Sequence, residues 1–371
     1  MEEERVAMMA LHLLSGVGDV LLKQLVSYCG SATDVFRQSS HRLDQIPGIG
    51  PGTTKAIRKG QTFEEARRIL EKAAKEETAV YFYTDKNYPQ RLRLIEDAPA
   101  VLFVKGNINL NHKKTVGIVG TREATAYGRD QVEKIVEELL PHQPLILSGL
   151  AYGIDIHAHK MALKHNLMTA AVLGSGIDVI YPSVHAETAR KMMNQGGLIT
   201  ENLFGAKPDA HNFPARNRVI AGMCDALIVV EAAQKGGALI TAEIANTYNK
   251  DVFAVPGNLG QKYSEGTNWL IKTHKAHLLT GIKDLEYIMR WDNQAETAPS
   301  QLSLELALAS PEELNILRVL KDGSGQQPFD EIVFRSGYSH GMTASLLLSL
   351  ELKNMVQTLP GKQFRLRGHI G

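Results

Sequence analysis

Two arginines, Arg216 and Arg218, flank Asn217 in the stretch FPARNRVIAG at residues 213–222, just ahead of the apolar run ALIVVE. A third, Arg122, stands in the glycine-bounded stretch GTREATAYG, which follows another apolar run. Guanidinium forks suit phosphate oxygens, and Phe213 offers a ring face on which an unpaired base can stack. A positive groove with an aromatic platform is what sequence-tolerant binding of single strands requires. Other groupings offer other chemistry. Glu201 and Glu231 end neighbouring apolar runs and would make a carboxylate pair for acid–base work, although satisfying loop N–H groups or the arginines is the plainer role for both. His157, His159 and His165 crowd together in sequence, but His157 and His159 diverge on a helix and no carboxylate stands at metalloprotease spacing, so no metal is expected.

Nucleotide cofactors leave recognisable fingerprints, and none is present. A dinucleotide site wants G-x-G-x-x-G after the first strand and an acidic residue ending the second; here the first loop is GTREATAYG and the second strand ends Ser148, Gly149. No G-x-x-x-x-G-K-[ST] occurs, so the usual phosphate loop of ATPases is missing as well. No cofactor and no catalytic residue are expected.

The elements that must hold these residues are short apolar runs alternating with helical stretches: TVGIVG, PLILSG, MTAAVLGSG, GLITE, DALIVVEA, DVFAVPG and AHLLTG. Near-continuous Val, Ile, Leu and Ala mark strands buried on both faces, and the helices between them mark parallel crossovers. The pattern predicts an α/β fold, a Rossmann-like doubly wound, mostly parallel sheet over residues 79–290, extended at its start by a segment packed on the sheet edge. Ligands of such sheets bind beyond the carboxyl ends of the strands, so the glycine-rich loops there are expected to surround one crevice with free N–H groups, with Arg122, Arg216 and Arg218 on its rim. Spaced two apart, Arg216 and Arg218 are expected one at a helix cap and one in the first turn.

Residues 1–78 read as a helical, helix-hairpin-helix (SAM-like) domain with two G-h-G turns, h being apolar, one in LLSGVGDVLLKQLV and one in QIPGIGPGTTKAI. The second is the better candidate for duplex or phosphate contacts, through Gly48, Gly50 and Lys55, because Arg58 and Lys59 follow it while Asp19 follows the first. Residues 291–302 are polar and without period, a linker, and residues 303–371 follow the winged-helix order of three helices and a hairpin. The balanced charges of that last region leave protein contact or dimerisation as open as DNA reading. Over the whole chain the formal net charge is only +1, so a polyanion must be held by a local patch. Cys29 and Cys224, far apart and without CxxC spacing, fit a reducing compartment, and the acidic start MEEERVAMMALHLLSG is unlike a signal peptide. No apolar run approaches the ~18 residues of a membrane span, and a soluble cytoplasmic protein is expected.

Taken in order, VGTREATAYG, SGLAYGIDIHAHKMAL, VLGSGIDVIYP, ITEN, FPARNRVIAG, LIVVEA, GGALITAEIA, FAVPGN and EGTNWLI resemble the DNA-processing protein A (DprA/Smf) family. That resemblance covers most of the middle domain. It implies a protein that binds single-stranded DNA and helps load the RecA recombinase onto it in natural transformation, usually as a homodimer and without catalysing a reaction. Matched by motif, the family's DNA-binding pocket falls on Gly120 and Arg122, on Ser148 and Gly149, on Gly174, Ser175 and Gly176, and on Phe213, Arg216, Asn217 and Arg218. Two stretches depart from the family. Gly236, Gly237 and Ala238 stand where relatives tend to carry SGS, losing hydroxyls at a helix start, and KTHKA at residues 272–276 replaces a short Gly-Ala ending, with consequences for the dimer contact. A rival from another class is a nucleotide phosphoribohydrolase of the lysine-decarboxylase-like group, with Glu231 or Glu201 as its acid–base residue, suggested by GGALITAE. An NAD-dependent oxidoreductase is a weaker third for want of the fingerprint.

Overall fold

The computed structural model describes residues 2–209, 212–291, 310–321, 327–353, 355–359 and 362–366. The chain divides into two compact units, Met1–Trp291 and Asp292–Gly371. In the first, six helices precede the sheet: Glu2–His12, Asp19–Cys29, Ala32–Arg37, Ser40–Leu43, Pro51–Lys59 and Phe63–Lys75. Each G-h-G turn opens a helix, with Gly18 capping Asp19–Cys29 and Gly50 capping Pro51–Lys59. The first glycine of each turn has a φ only glycine takes readily, 83° at Gly16 and 79° at Gly48. Met8, Met9, Leu11, Leu22, Leu25, Leu43 and Ile57 are buried among these helices.

The sheet has nine strands, β1 (Ala79–Phe82), β2 (Val101–Gly106), β3 (Thr115–Val119), β4 (Leu145–Ser148), β5 (Thr169–Val172), β6 (Gly196–Thr200), β7 (Ala226–Val229), β8 (Asp251–Ala254) and β9 (His277–Leu278), in the order β1-β2-β6-β5-β4-β3-β7-β8-β9. The seven apolar runs are its parallel strands, β3 to β9, and every residue of β3, β4, β5, β6 and β7 is buried, as strands covered by helices on both faces must be. β1 and β2 pair antiparallel beside β6 and form the edge extension. From β3 the chain steps outward through β4, β5 and β6, then returns to lay β7 on the other side of β3. The loops after β3 and β7 therefore part at a topological switch point, where open α/β sheets bind ligands.

The second unit holds helices Pro311–Lys321, Phe329–Ser336 and His340–Leu352 and three short strands, with Gln363–Leu366 between Gln327–Pro328 and Val356–Leu359. Ile316, Leu320, Ile332, Leu347, Leu350 and Met355 form its core. This is the expected winged helix, with one strand added: Gln327–Pro328 is two residues long, too short for any alternation to be visible. The expected linker lies outside the described residues except for Trp291, whose ring takes the Lys114 ammonium at 5.0 Å. Among the described residues no helix is long and apolar enough to cross a membrane.

Candidate nucleic-acid interface

At the switch point lies a cleft of about 350 Å³, walled by the loops after β3 and β7 and by the helix Asn212–Met223. Arg122 is exposed at its mouth and, among the described residues, has no ion pair or hydrogen bond; its guanidinium carbon stands 5.4 Å from the centroid of the Phe213 ring. The Arg216 guanidinium approaches the same ring to 6.0 Å, and Tyr181 packs against it at 6.0 Å. Two glycines make this arrangement possible. A Cβ at Gly174 would press the Phe213 ring at 3.0 Å, and one at Gly149 would fall 2.3 Å from the Arg216 guanidinium. Opposite, the helix Gly237–Thr247 starts at Gly236 without a side-chain cap, so its first N–H groups open to the cleft beside Lys235.

Arg216 is buried and donates to the carbonyl oxygens of Gly149, at 2.6 Å, and Val172, which ties the ends of β4 and β5 together. Its Nε donates to Oδ1 of Asn217 at 3.1 Å. Burial lowers its pKa to about 10, with Asp155 opposing the shift and Arg122 adding to it, so the group stays charged at neutral pH. Asp155, buried in the cleft wall and accepting the Gly149 N–H at 3.1 Å, is pushed up by burial and drawn back first by Arg216. Among the lining residues four cations, Arg122, Arg216, Lys235 and Lys262, outnumber two carboxylates, Glu123 and Asp155, so the cleft keeps a positive potential toward an incoming anion.

Other expected members of the site are placed differently. The helix begins at Asn212, so Arg216 and Arg218 lie in its second turn, beyond Pro214, rather than at the cap and first turn. Arg218 leaves the cleft altogether: it pairs with Asp19 at 3.2 Å and with Glu201, and donates to the Asp97 carbonyl oxygen. Its sequence position beside Arg216 gave no sign of this, because the partners come from residues 19, 97 and 201. The ring of free loop amides is also largely closed. Gly149 N–H bonds Asp155, and Gly176 N–H bonds the Ala206 carbonyl oxygen. Buried Ser148 and Ser175 donate their hydroxyls to the Ile118 and Val179 carbonyl oxygens, each at 2.6 Å. Gly120 is a close-packing glycine, its missing Cβ replaced by the Ile154 side chain. Asn217 remains in the cleft, at a long 3.5 Å from the Gly237 carbonyl oxygen.

Glu201 and Glu231 do not form a pair. Glu231 accepts the N–H and Oγ1–H of Thr125, at 3.0 and 2.6 Å, at the start of the helix Ala126–Glu138, while Glu201 belongs to the Arg218 cluster, where burial raises its pKa to about 7. The histidines part as well: His159 is buried against Thr169 Oγ1 at 2.7 Å, and burial holds it neutral by lowering it to about 3, whereas His165 faces Glu137. In the helical region, Asp19 of the first turn accepts the Ala100 N–H at 2.8 Å and so packs against the sheet. The second turn, with Gly50 at the helix start, keeps Lys55, Arg58 and Lys59 exposed. The lining residues Lys235, Lys262 and Tyr263, and Tyr181 packed on Phe213, were not singled out from sequence; each lies in a loop that follows a strand, which was the one signal available.

Switch-point geometry, a cationic cleft floored by an aromatic ring and a carboxy-terminal winged helix define a Rossmann-like protein with a second, winged-helix unit. The chain belongs to the DNA recombination-mediator protein A family, whose profile matches residues 79–289, and the DprA winged helix domain matches residues 295–362. Protein Smf of Escherichia coli (strain K12) is 37% identical over 287 residues, covering 76% of this chain and 75% of that protein. Protein Smf of Synechocystis sp. is 30% identical over 98% of this chain and 99% of its own length. The X-ray structure of DNA processing protein A from Streptococcus pneumoniae superposes with a TM-score of 0.67 at 31% identity, covering 77% of this chain and 97% of that one. A structure of DNA processing protein A from Helicobacter pylori, described for its unique single-stranded DNA binding mode, gives 0.53 at 27% identity over 58% and 97%.

Proposed function

We propose that this chain binds single-stranded DNA without sequence preference in the cleft at the switch point and acts as a recombination mediator in the cytoplasm, loading RecA onto incoming strands in natural transformation. The observation that carries the reading is Arg122, an unpaired guanidinium over the Phe213 ring with the charged Arg216 behind it. A base stacks on the aromatic and arginine planes while phosphates meet the guanidinium and the open amides of the helix Gly237–Thr247. Gly120, Gly149 and Gly174 shape the cleft, and Phe213, Arg216 and Asn217 line it; Ser148, Ser175 and Gly176 act through the loops they brace. Arg218 supports the fold rather than the strand. Gly48, Gly50 and Lys55 are a separate candidate for duplex or phosphate contact. Family membership supports the RecA role and a homodimer, and the bonded states of Glu201 and Glu231 leave both carboxylates poorly placed for hydrolysis.

Binding of oligothymidylate against duplex tests the reading. Arg122→Ala should weaken single-strand affinity about tenfold and reduce the log–log salt slope by about 0.7, the value for one phosphate contact on a single strand. Unchanged affinity, or preference for duplex, removes the site. For the finer claim, RecA assembly on oligothymidylate coated with single-strand-binding protein should accelerate with the wild-type chain and not with Arg122→Ala.

A further inference from the structure

We infer that a second nucleotide subsite lies across Arg122 from the Phe213 cleft, in a cavity walled by Arg129, Tyr152, His157 and Lys160. The inference rests on the single-strand reading and extends it by giving the strand a direction. Arg122 and Glu123 line both cavities, so a chain seated on Phe213 passes from one to the other without leaving the protein surface. The second cavity measures about 320 Å³. Its charge is suited to phosphate. Lys160 makes no hydrogen bond or ion pair among the described residues, and Arg129 donates only to the Ala124 carbonyl oxygen, at 2.6 Å, with no carboxylate partner. The one acid in the wall, Glu123, takes the Tyr263 phenol and lies 3.8 Å from Lys262, which turns its charge toward the opposite side.

The cavity also has a platform. Tyr152 is 48% exposed, yet its ring is held edge-on against His185 at 5.1 Å, and His185 is anchored by Nδ1 to the Leu150 carbonyl oxygen at 2.8 Å. An exposed ring with a fixed edge stacks a base at little cost in side-chain entropy. Gly153 explains how Tyr152 comes so near Arg122. Its φ of 77° and its missing Cβ, which would fall 2.1 Å from the Thr121 carbonyl oxygen, let the loop after β4 close on the loop after β3. A rival exit exists past Tyr127, into a cavity of about 680 Å³. Its only exposed cation, Lys262, already faces Glu123, and the Tyr127 hydroxyl is bonded to the Pro256 carbonyl oxygen at 2.6 Å. Charge and free aromatic surface both favour the Tyr152 side.

Titration of the full chain with oligothymidylates of two and about ten nucleotides tests this, since a cleft of about 350 Å³ has room for about one nucleotide-sized ligand. Tyr152→Ala should weaken the longer oligomer about fivefold or more, as loss of one stacked base does, and leave the shorter one unchanged. Lys160→Ala should lower the salt slope by about 0.7 for the longer oligomer only. Arg122→Ala should weaken both. If the Tyr152 and Lys160 variants bind the longer oligomer like wild type while Arg122→Ala does not, the second subsite is wrong and the primary cleft stands. Loss of the longer oligomer in Tyr127→Ala instead routes the strand through the other exit and overturns the inference. Wild-type affinity for both lengths in Arg122→Ala removes the cleft and the subsite together.

Discussion

Arg216 and Arg218 sit on one helix two residues apart, about 200° around its axis, so they face opposite ways. Arg216 looks toward the strand ends, where one buried carboxylate, Asp155, and two backbone carbonyls receive it. Arg218 looks toward the junction with the helical segment, where Asp19, Glu201 and the Asp97 carbonyl oxygen enclose it. Asp19 comes from the first G-h-G helix, so Arg218 joins that helix to the sheet, while Tyr248 bonds the Asp97 carboxylate from the other side at 2.6 Å. The surroundings therefore assign the roles. A guanidinium with one carboxylate and a second guanidinium nearby leaves positive potential in the cleft, and one paired with two carboxylates is structural.

The largest effect expected from breaking this contrast is Arg216→Ala. It leaves the buried Gly149 and Val172 carbonyls without their donor, at about 1–3 kcal/mol each, and removes the charge that offsets buried Asp155, so urea unfolding should show a loss of about 2–5 kcal/mol. A loss below about 1 kcal/mol would mean that water or another donor replaces Arg216 at the two carbonyls. Gly149→Ala, which pushes a methyl into the Arg216 guanidinium, should cost about 1–3 kcal/mol by overpacking and weaken oligothymidylate binding in step. Arg218→Met should cost a similar 1–3 kcal/mol or so for the unsatisfied acids, yet keep oligothymidylate affinity within about twofold. A drop in affinity as large as that of Arg122→Ala would put Arg218 back among the strand contacts.

Glu201 sharpens the comparison through pH. Burial raises its folded pKa to about 7, above the ordinary 4.5, despite Arg218, so the folded state keeps a proton that the unfolded state releases between those values. Its contribution is complete below about pH 4.5 and is lost as pH rises through 7, so stability should decline across that window. Glu201→Gln should flatten that decline; an unchanged slope in the variant would assign the titration elsewhere. The smallest stability effect belongs to Arg122→Ala, within about 0.5 kcal/mol because the side chain is exposed and unpaired, although its effect on binding is among the greatest.

Local patterns carried much of this protein. Seven apolar runs became seven parallel strands, five of them near-continuously apolar because they are buried on both faces, and Gly16 and Gly48 mark turns whose backbone only glycine takes without strain. Sequence also brought Arg122 and Phe213 to one cleft, because the loop after β3 opens where the sheet order reverses and the helix that feeds β7 borders it. What depends on tertiary packing was not legible. Nothing near Arg218 in sequence announces Asp19 or Glu201, and nothing near Ser148 or Gly149 announces that their polar groups are already bonded. Strand and turn preferences act over a few residues, whereas the fate of a charge depends on which distant carboxylate folding brings beside it. Sequence alone therefore determined the sheet and the place of Arg122 at its switch point; only the tertiary structure decided which arginine lines the cleft and which holds the helical segment in place.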